Sequence, residues 1–202
     1  IVEFVRYIGS GFKELATNRS IKFSIESECP GMNIWFDDTK MQRILNNIYS
    51  NAFKFTPDGG LISTIVATEK KDEKIFVRIE ISDTGCGISE KDLNVIFDRF
   101  YQSEPIPGVT GSGIGLHMVK EYVSLHNGKI EVHSKIGVGT TFLIYIPSDL
   151  KGDDSESKVP AMSPDVEEKV VYSDRKTILI VEDNVEFRRF LVEQLIGQFN
   201  IL

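Results

Sequence analysis

Met41, Ile44, Leu45, Ile48 and Ala52 recur at helical spacing, behind Asp37-Asp38-Thr39, and the run ends in Thr56-Pro57-Asp58-Gly59-Gly60. Asp and Thr supply N-cap oxygens, and Pro-Asp-Gly-Gly is a strong helix stop. Two runs of strand character follow at once, Leu61 to Thr68 and Ile75 to Ser82, joined by the charged Glu69-Lys70-Lys71-Asp72-Glu73. A stopped helix followed by a hairpin limits the chain to folds in which helices lie against antiparallel-paired strands.

The rest of the pattern agrees. Ile1, Val5, Ile8, Phe12 and Leu15 predict one amphipathic helix over about the first 17 residues, and Ile21 to Ile25 alternates as a strand. Glu90 to Ile96 reads as a short helix. Residues 101–112, with Pro105, Pro107, Gly108 and Gly111, read as a mobile loop. A third main helix is expected from about Gly113 to Asn127 with Gly128 at its C′ position, then strands Lys129 to Ser134 and Thr140 to Ile146. The expected fold is α+β, a two-layer sandwich of about five strands in a mixed sheet and three main helices.

Domain limits follow from composition. Residues 1–147 form the first domain. Residues 148–175 are polar, with Asp153-Asp154-Ser155-Glu156-Ser157, and have linker character. Residues 176–202 begin with Thr177-Ile178-Leu179-Ile180-Val181, a continuous apolar strand of the buried parallel kind, followed by Glu182-Asp183 and one amphipathic helix. That tail is short of the ~100 residues of an ordinary domain and is read as a truncated beginning.

Several function classes are excluded. The net charge is -7, and no basic run offers a footprint for nucleic acid. No apolar run approaches the ~20 residues of a membrane span, so the piece is expected to be soluble. Two cysteines, Cys29 and Cys86, do not make a disulfide framework and fit a reducing compartment. His117, His126 and His133 lie at no metal-site spacing and read as surface or packing histidines. The chain opens Ile1-Val2-Glu3-Phe4 without methionine and reads as a fragment.

Four segments carry polar chemistry where packing does not ask for it. Asn47, Asn51 and Lys54 share one face of the second helix. Amide oxygens are hard ligands suited to Mg2+, and an ammonium meets phosphate. Asp83-Thr84-Gly85-Cys86-Gly87-Ile88 delivers a carboxylate from a strand into a glycine turn, and a carboxylate accepts a hydrogen bond from the exocyclic amine of adenine. Gly111-Ser112-Gly113-Ile114-Gly115-Leu116 opens a helix, where amides can cradle phosphates. Gly137-Val138-Gly139-Thr140-Thr141-Phe142 turns into a strand. Each segment alone is also what a polar helix face or a plain turn would show.

In this order, the segments resemble the catalytic domain of sensor histidine kinases within the GHKL ATPase superfamily. Asn47 to Pro57 resembles the N box, Asp83 to Ile88 the first glycine box, and Phe97-Asp98-Arg99-Phe100-Tyr101 the F box. Gly111 to Leu116 resembles the second glycine box, and Gly139-Thr140 a weaker third. The resemblance covers about residues 1–147 and implies a Bergerat-type sandwich with ATP and Mg2+ as cofactors. It implies that Asn51 ligands the Mg2+ between the phosphates, and that Asn47 and Lys54 serve the transfer step as contacts to phosphate or ion. Asp83 would hold the adenine amino group, with Thr140 nearby. Gly85 and Gly87 would admit the base, and Arg99 and Tyr101 would flank the nucleotide. Gly111, Gly113 and Gly115 would form the hinge of a lid over the phosphates, and Leu116 belongs to the same nucleotide-binding set.

Hydrolysing members of that superfamily carry a glutamate four residues before the metal-binding asparagine. Here that residue is Asn47, and an amide cannot act as a general base near neutral pH. Transfer to a histidine is therefore favoured over hydrolysis. The acceptor histidine is expected in a dimerisation domain ahead of Ile1. Alternatives are a nucleotide-binding regulatory module without phosphotransfer, of the anti-sigma or degenerate-kinase kind, and a GHKL ATPase. The tail resembles the start of a response-regulator receiver domain, with Glu182 and Asp183 as its Mg2+-binding acidic pair, which implies a hybrid kinase. The resemblance also implies a homodimeric parent, anchored in the bacterial inner membrane with this domain in the cytoplasm, and no contact with nucleic acid.

Overall fold

A computed structural model describes residues 1–28, 33–71, 74–101, 113–148, 176–180, 192, 195 and 199–201. The chain divides into two compact units, Ile1–Asp153 and Asp154–Leu202.

In the first unit the elements run α1 (Val2–Ser10), α2 (Lys13–Asn18), β1 (Lys22–Ser27), α3 (Asp38–Phe55), β2 (Leu61–Lys71), β3 (Lys74–Asp83), α4 (Glu90–Leu93), α5 (Gly115–Leu125), β4 (Lys129–Lys135) and β5 (Gly139–Pro147). One mixed five-stranded sheet has the order β1-β2-β3-β5-β4, with β1 parallel to β2 and every other pair antiparallel. The α+β expectation holds. Alternation along the strands explains the layering. Val77, Ile79 and Ile81 of β3 and Phe142, Ile144 and Ile146 of β5 are buried with Ile44, Leu45 and Ile48 of α3 and Val119 and Val123 of α5. Arg78 and Glu80 interleave with the apolar residues of β3, and Arg78 forms ion pairs with Glu80 and with Glu69 of β2.

The helix α3 carries the candidates Asn47, Asn51 and Lys54, and both of its ends are tied. Asp37 accepts from the Lys40 amide at 2.9 Å as N-cap. Burial pushes the Asp37 carboxyl up, yet its bonds to the Lys40 side chain and amide outweigh this and hold it below the usual range. At the other end the Arg19 guanidinium donates to the carbonyls of Phe53 and Thr56 and, through Nε at 2.8 Å, to Asp58. A cation on the last carbonyls also suits the helix dipole.

Four local expectations are corrected. The first 17 residues are two helices, because the chain turns at Gly11 and Phe12, where Phe12 stacks on Phe53 with ring centroids 5.3 Å apart. The helix expected to Ile96 ends at Leu93; Ser89 caps it and residues 94–97 are turns. The third main helix starts at Gly115, since Gly113 has φ +70° and cannot be helical. Its C′ residue is Asn127 (φ 50°), not Gly128. The Gly128 amide bonds to the Val123 carbonyl and the Asn127 amide to that of Ser124, both at 2.9 Å, which is a Schellman end. Gly128 is required for space: a Cβ there would run into the Tyr145 carbonyl.

In the second unit β6 (Thr177–Ile178) and β7 (Asn200–Ile201) pair in parallel. The strand expected over 177–181 is thus two residues long among the described positions. Among the described residues no helix is long and apolar enough to cross a membrane.

Candidate nucleotide site

One end of the site is set by strand register. Asp83, the last residue of β3, is paired with Thr140 of β5 and with Ile62 of β2. The Asp83 carboxylate accepts from the Gly85 amide at 2.8 Å. Burial pushes its pKa up, and the amides of Gly85 and Thr140 pull it back only in part. A perturbed carboxylate at the end of a central strand is a recognition candidate. The backbone around it is close-packed. A Cβ on Gly85 would lie 2.7 Å from both Asp83 Oδ1 and the Phe55 carbonyl oxygen, and one on Gly139 (φ +138°) would strike the Asp83 carbonyl. Gly87, at φ +72°, lies against Lys135. Thr140 is buried, and its hydroxyl sits 2.9 Å from Ser134 Oγ, which also accepts from the Ile88 amide at 2.8 Å. Ser134 thereby ties the Asp83–Ile88 turn to Thr140. Sequence reasoning missed it, because only the β4–β5 register, Ser134 opposite Thr140, reveals the role.

The other end is built on helices. Asn47 and Asn51 are half-buried on successive turns of α3, with half-buried Lys54 one turn on, its ammonium 5.2 Å from the Phe55 ring centre. Asn47 Nδ2 donates back to the Arg43 carbonyl at 2.8 Å. Its Oδ1 faces Gly115, the first residue of α5, so closely that a Cβ there would collide with it. Leu116 follows, half-buried against the core. Gly113 is pressed against Phe100 and Tyr101, and the Phe100 amide donates to the Gly113 carbonyl at 3.0 Å. Phe100 itself is held at φ 63°, a strained conformation for an aromatic residue.

Arg99 and Tyr101 stand on the turn before that junction. Tyr101 Oη donates to Asp92 at 2.7 Å, and this bond, with that from Ser89, holds the Asp92 carboxyl below its ordinary range. Arg99 Nε donates to His117 Nε2 at 2.8 Å. Asp92 and His117 were not legible as partners, since contact across the turn is not encoded by spacing. Gly111, Glu182 and Asp183 lie outside the described residues.

Mg2+ is tested by the donor set. Among the described residues no group of three or more His, Cys, Asp and Glu converges. An ion here would rest on amide oxygens and on phosphates it arrives with, which hard Mg2+ accepts. Two surface grooves, of about 420 and 390 Å3, lie against α2 and α1 and hold none of the candidate residues.

The α+β fold brings the candidate residues into two groups, one on the strand ends and one on the helices, and similarity makes the class specific. Residues 36–150 match the family described as histidine kinase-, DNA gyrase B-, and HSP90-like ATPase. The chain is 34% identical to histidine kinase P4 of Formosa agariphila, over 100% of this chain and 16% of that protein. It is 33% identical to the sensor histidine kinase TmoS of Ectopseudomonas mendocina, over 98% of this chain and 22% of that protein. The chain thus spans less than a quarter of the length of either relative. The catalytic domain of histidine kinase ThkA superposes with a TM-score of 0.62 at 24% identity, over 72% of this chain and 92% of that one. The chain belongs to the histidine kinase-, DNA gyrase B- and HSP90-like ATPase family, and its fold is that of histidine kinase catalytic domains.

Proposed function

We propose that residues 1–147 are the ATP-binding catalytic domain of a hybrid sensor histidine kinase, transferring the γ-phosphoryl group of ATP to a histidine of a dimerisation domain outside this chain. Family membership supports ATP as the nucleotide. The observation that carries transfer over hydrolysis is Asn47. Its amide stands four residues before Asn51, donates to the Arg43 carbonyl, and offers no base to activate water.

In this reading Asp83 accepts from the adenine amino group, and Ser134 and Thr140 hold the turn that Gly85 and Gly87 open for the base. Asn51 ligands Mg2+, whose chemistry when bound is charge neutralisation across the phosphates. Asn47 and Lys54 position the phosphates. Arg99 and Tyr101 flank the nucleotide. Gly111, Gly113 and Gly115 form the hinge beside it, and Leu116 belongs to the same set. Residues 148–175 serve as linker, and residues 176–202 begin a receiver domain with Glu182 and Asp183 as its acidic pair. The support for that order is the apolar run Thr177 to Val181 followed at once by two acids, after a polar stretch. The parent is a homodimer anchored in the inner membrane, with this domain on the cytoplasmic side.

Calorimetric titration with Mg2+–ATP, with GTP as control, tests the site. Saturable binding of ATP with little of GTP is expected, followed by phosphorylation of an added dimerisation domain. Equal binding of both nucleotides, or none, overturns the reading.

A further inference from the structure

We infer that His117 is a positioning residue for Arg99. This rests on the reading of Arg99 as a nucleotide-flanking residue. An arginine on a turn is a long chain with several rotatable bonds, and a turn alone does not fix where its planar head points. His117 supplies what the turn lacks. Its Nδ1 lies 3.1 Å from the Phe97 carbonyl oxygen, which only accepts, so Nδ1 carries the proton. That leaves Nε2 with a lone pair, and Arg99 Nε donates to it at 2.8 Å.

The neutral imidazole therefore reads the backbone at Phe97 on one side and grips the guanidinium on the other. Holding Nε fixes the plane of the guanidinium, and with it the directions of both Nη groups. Lys120, one turn further along α5, stands 5.9 Å from the centre of the Phe97 ring and adds a second tie between the same two elements. His117 is the third residue of α5, two after the glycine that abuts Asn47. The orientation of Arg99 is thus referred to the same helix end that meets the phosphate-side amides. Few side chains can donate and accept in this way without charge, and alanine can do neither.

The test is a double-mutant cycle on this chain, read as Mg2+–ATP affinity by calorimetry, with thermal unfolding of each variant. Arg99→Ala and His117→Ala are each expected to weaken binding about threefold to tenfold, the scale of one lost hydrogen bond. The double variant should bind no more weakly than Arg99→Ala alone, because His117 acts only through Arg99. His117→Gln, whose Oε1 can accept from Nε, should recover most of the loss. Wild-type affinity in His117→Ala, losses that multiply in the double variant, or no recovery in His117→Gln would overturn the inference. Wild-type affinity in Arg99→Ala removes the role of Arg99 and the inference with it. No ATP binding by the unaltered chain sinks the proposed function itself, which is a separable result.

Discussion

The amide oxygen of Asn47 occupies the space that a side chain on Gly115 would need. Two segments far apart in the sequence, one a helix interior and the other a helix start, are thereby matched atom to atom. Gly115 is the residue at which the start of α5 can approach Asn47 of α3 this closely.

Gly115→Ala should separate binding from stability. The added methyl displaces Asn47 Oδ1, the end of a side chain that can swing away, while alanine favours a helix over glycine by up to ~1 kcal/mol. The expected outcome is Mg2+–ATP affinity reduced by about tenfold, the worth of one good polar contact, with a melting temperature unchanged or raised. Calorimetry beside a thermal melt checks both halves. Wild-type affinity would mean that Asn47 need not stay where it is.

Asp83→Ala should weaken ATP binding by about 10- to 150-fold, through loss of a charge-assisted hydrogen bond worth roughly 1.5–3 kcal/mol. Asp83→Asn tests the cost of keeping the carboxylate. Its folded pKa is raised by burial, so its contribution to stability is full below the unfolded carboxylate value and is lost as pH rises through the folded value. The asparagine variant, which can still accept from the amides of Gly85 and Thr140, should melt higher than wild type at neutral pH. That advantage should shrink on acidification. A constant difference across pH would show that ionisation of Asp83 is not what the fold bears.

Asn51→Ala should abolish the Mg2+ dependence of triphosphate binding while leaving the weaker, metal-independent binding of the nucleoside end. Titrations of ATP with and without Mg2+ decide it. Dependence that survives moves the ion to another ligand.

Tyr49 gives a prediction about the fold alone. It is fully buried, and its hydroxyl pairs with that of Thr64 at 3.0 Å. Burial pushes the phenol up from 10.0 to about 12, against the pull of the Thr64 bond. A raised folded value means stability that is full below the unfolded value and lost as pH climbs between the two. Tyr49→Phe leaves Thr64 unpaired and should cost ~1–3 kcal/mol at neutral pH. Denaturant unfolding should also show a weaker alkaline decline in the variant than in wild type; parallel declines would place the alkaline loss elsewhere.

The sequence made α3 and the hairpin legible because both carry strong local signals: an Asp37 cap, apolar residues at helical spacing, a Pro-Asp-Gly-Gly stop, then alternation. Asp83, Asn47 and Asn51 stood out because they are polar where the pattern asks for apolar or neutral residues. The break at Gly11 and Phe12 was hidden, since the apolar spacing continues across it while the Phe12 ring turns to Phe53 and Tyr49. Asn127 was passed over for Gly128 because both tolerate left-handed backbone, and only the approach of the Tyr145 carbonyl assigns the glycine. Ser134 and His117 act through partners 46 and 18 residues away. Such contacts exist once register and helix placement are set, and no local pattern announces them.

The bond from the Phe100 amide to the Gly113 carbonyl joins the chain on either side of residues 101–112. That bond holds the point where the chain leaves the turn after α4 and the point where it enters α5 side by side, whatever the number of residues between them. Closure entropy grows only by about 0.6 kcal/mol for each doubling of such a segment. A longer or shorter stretch here would therefore cost little free energy, and the Phe100–Gly113 pair would still set the start of α5 beside the turn that carries Arg99.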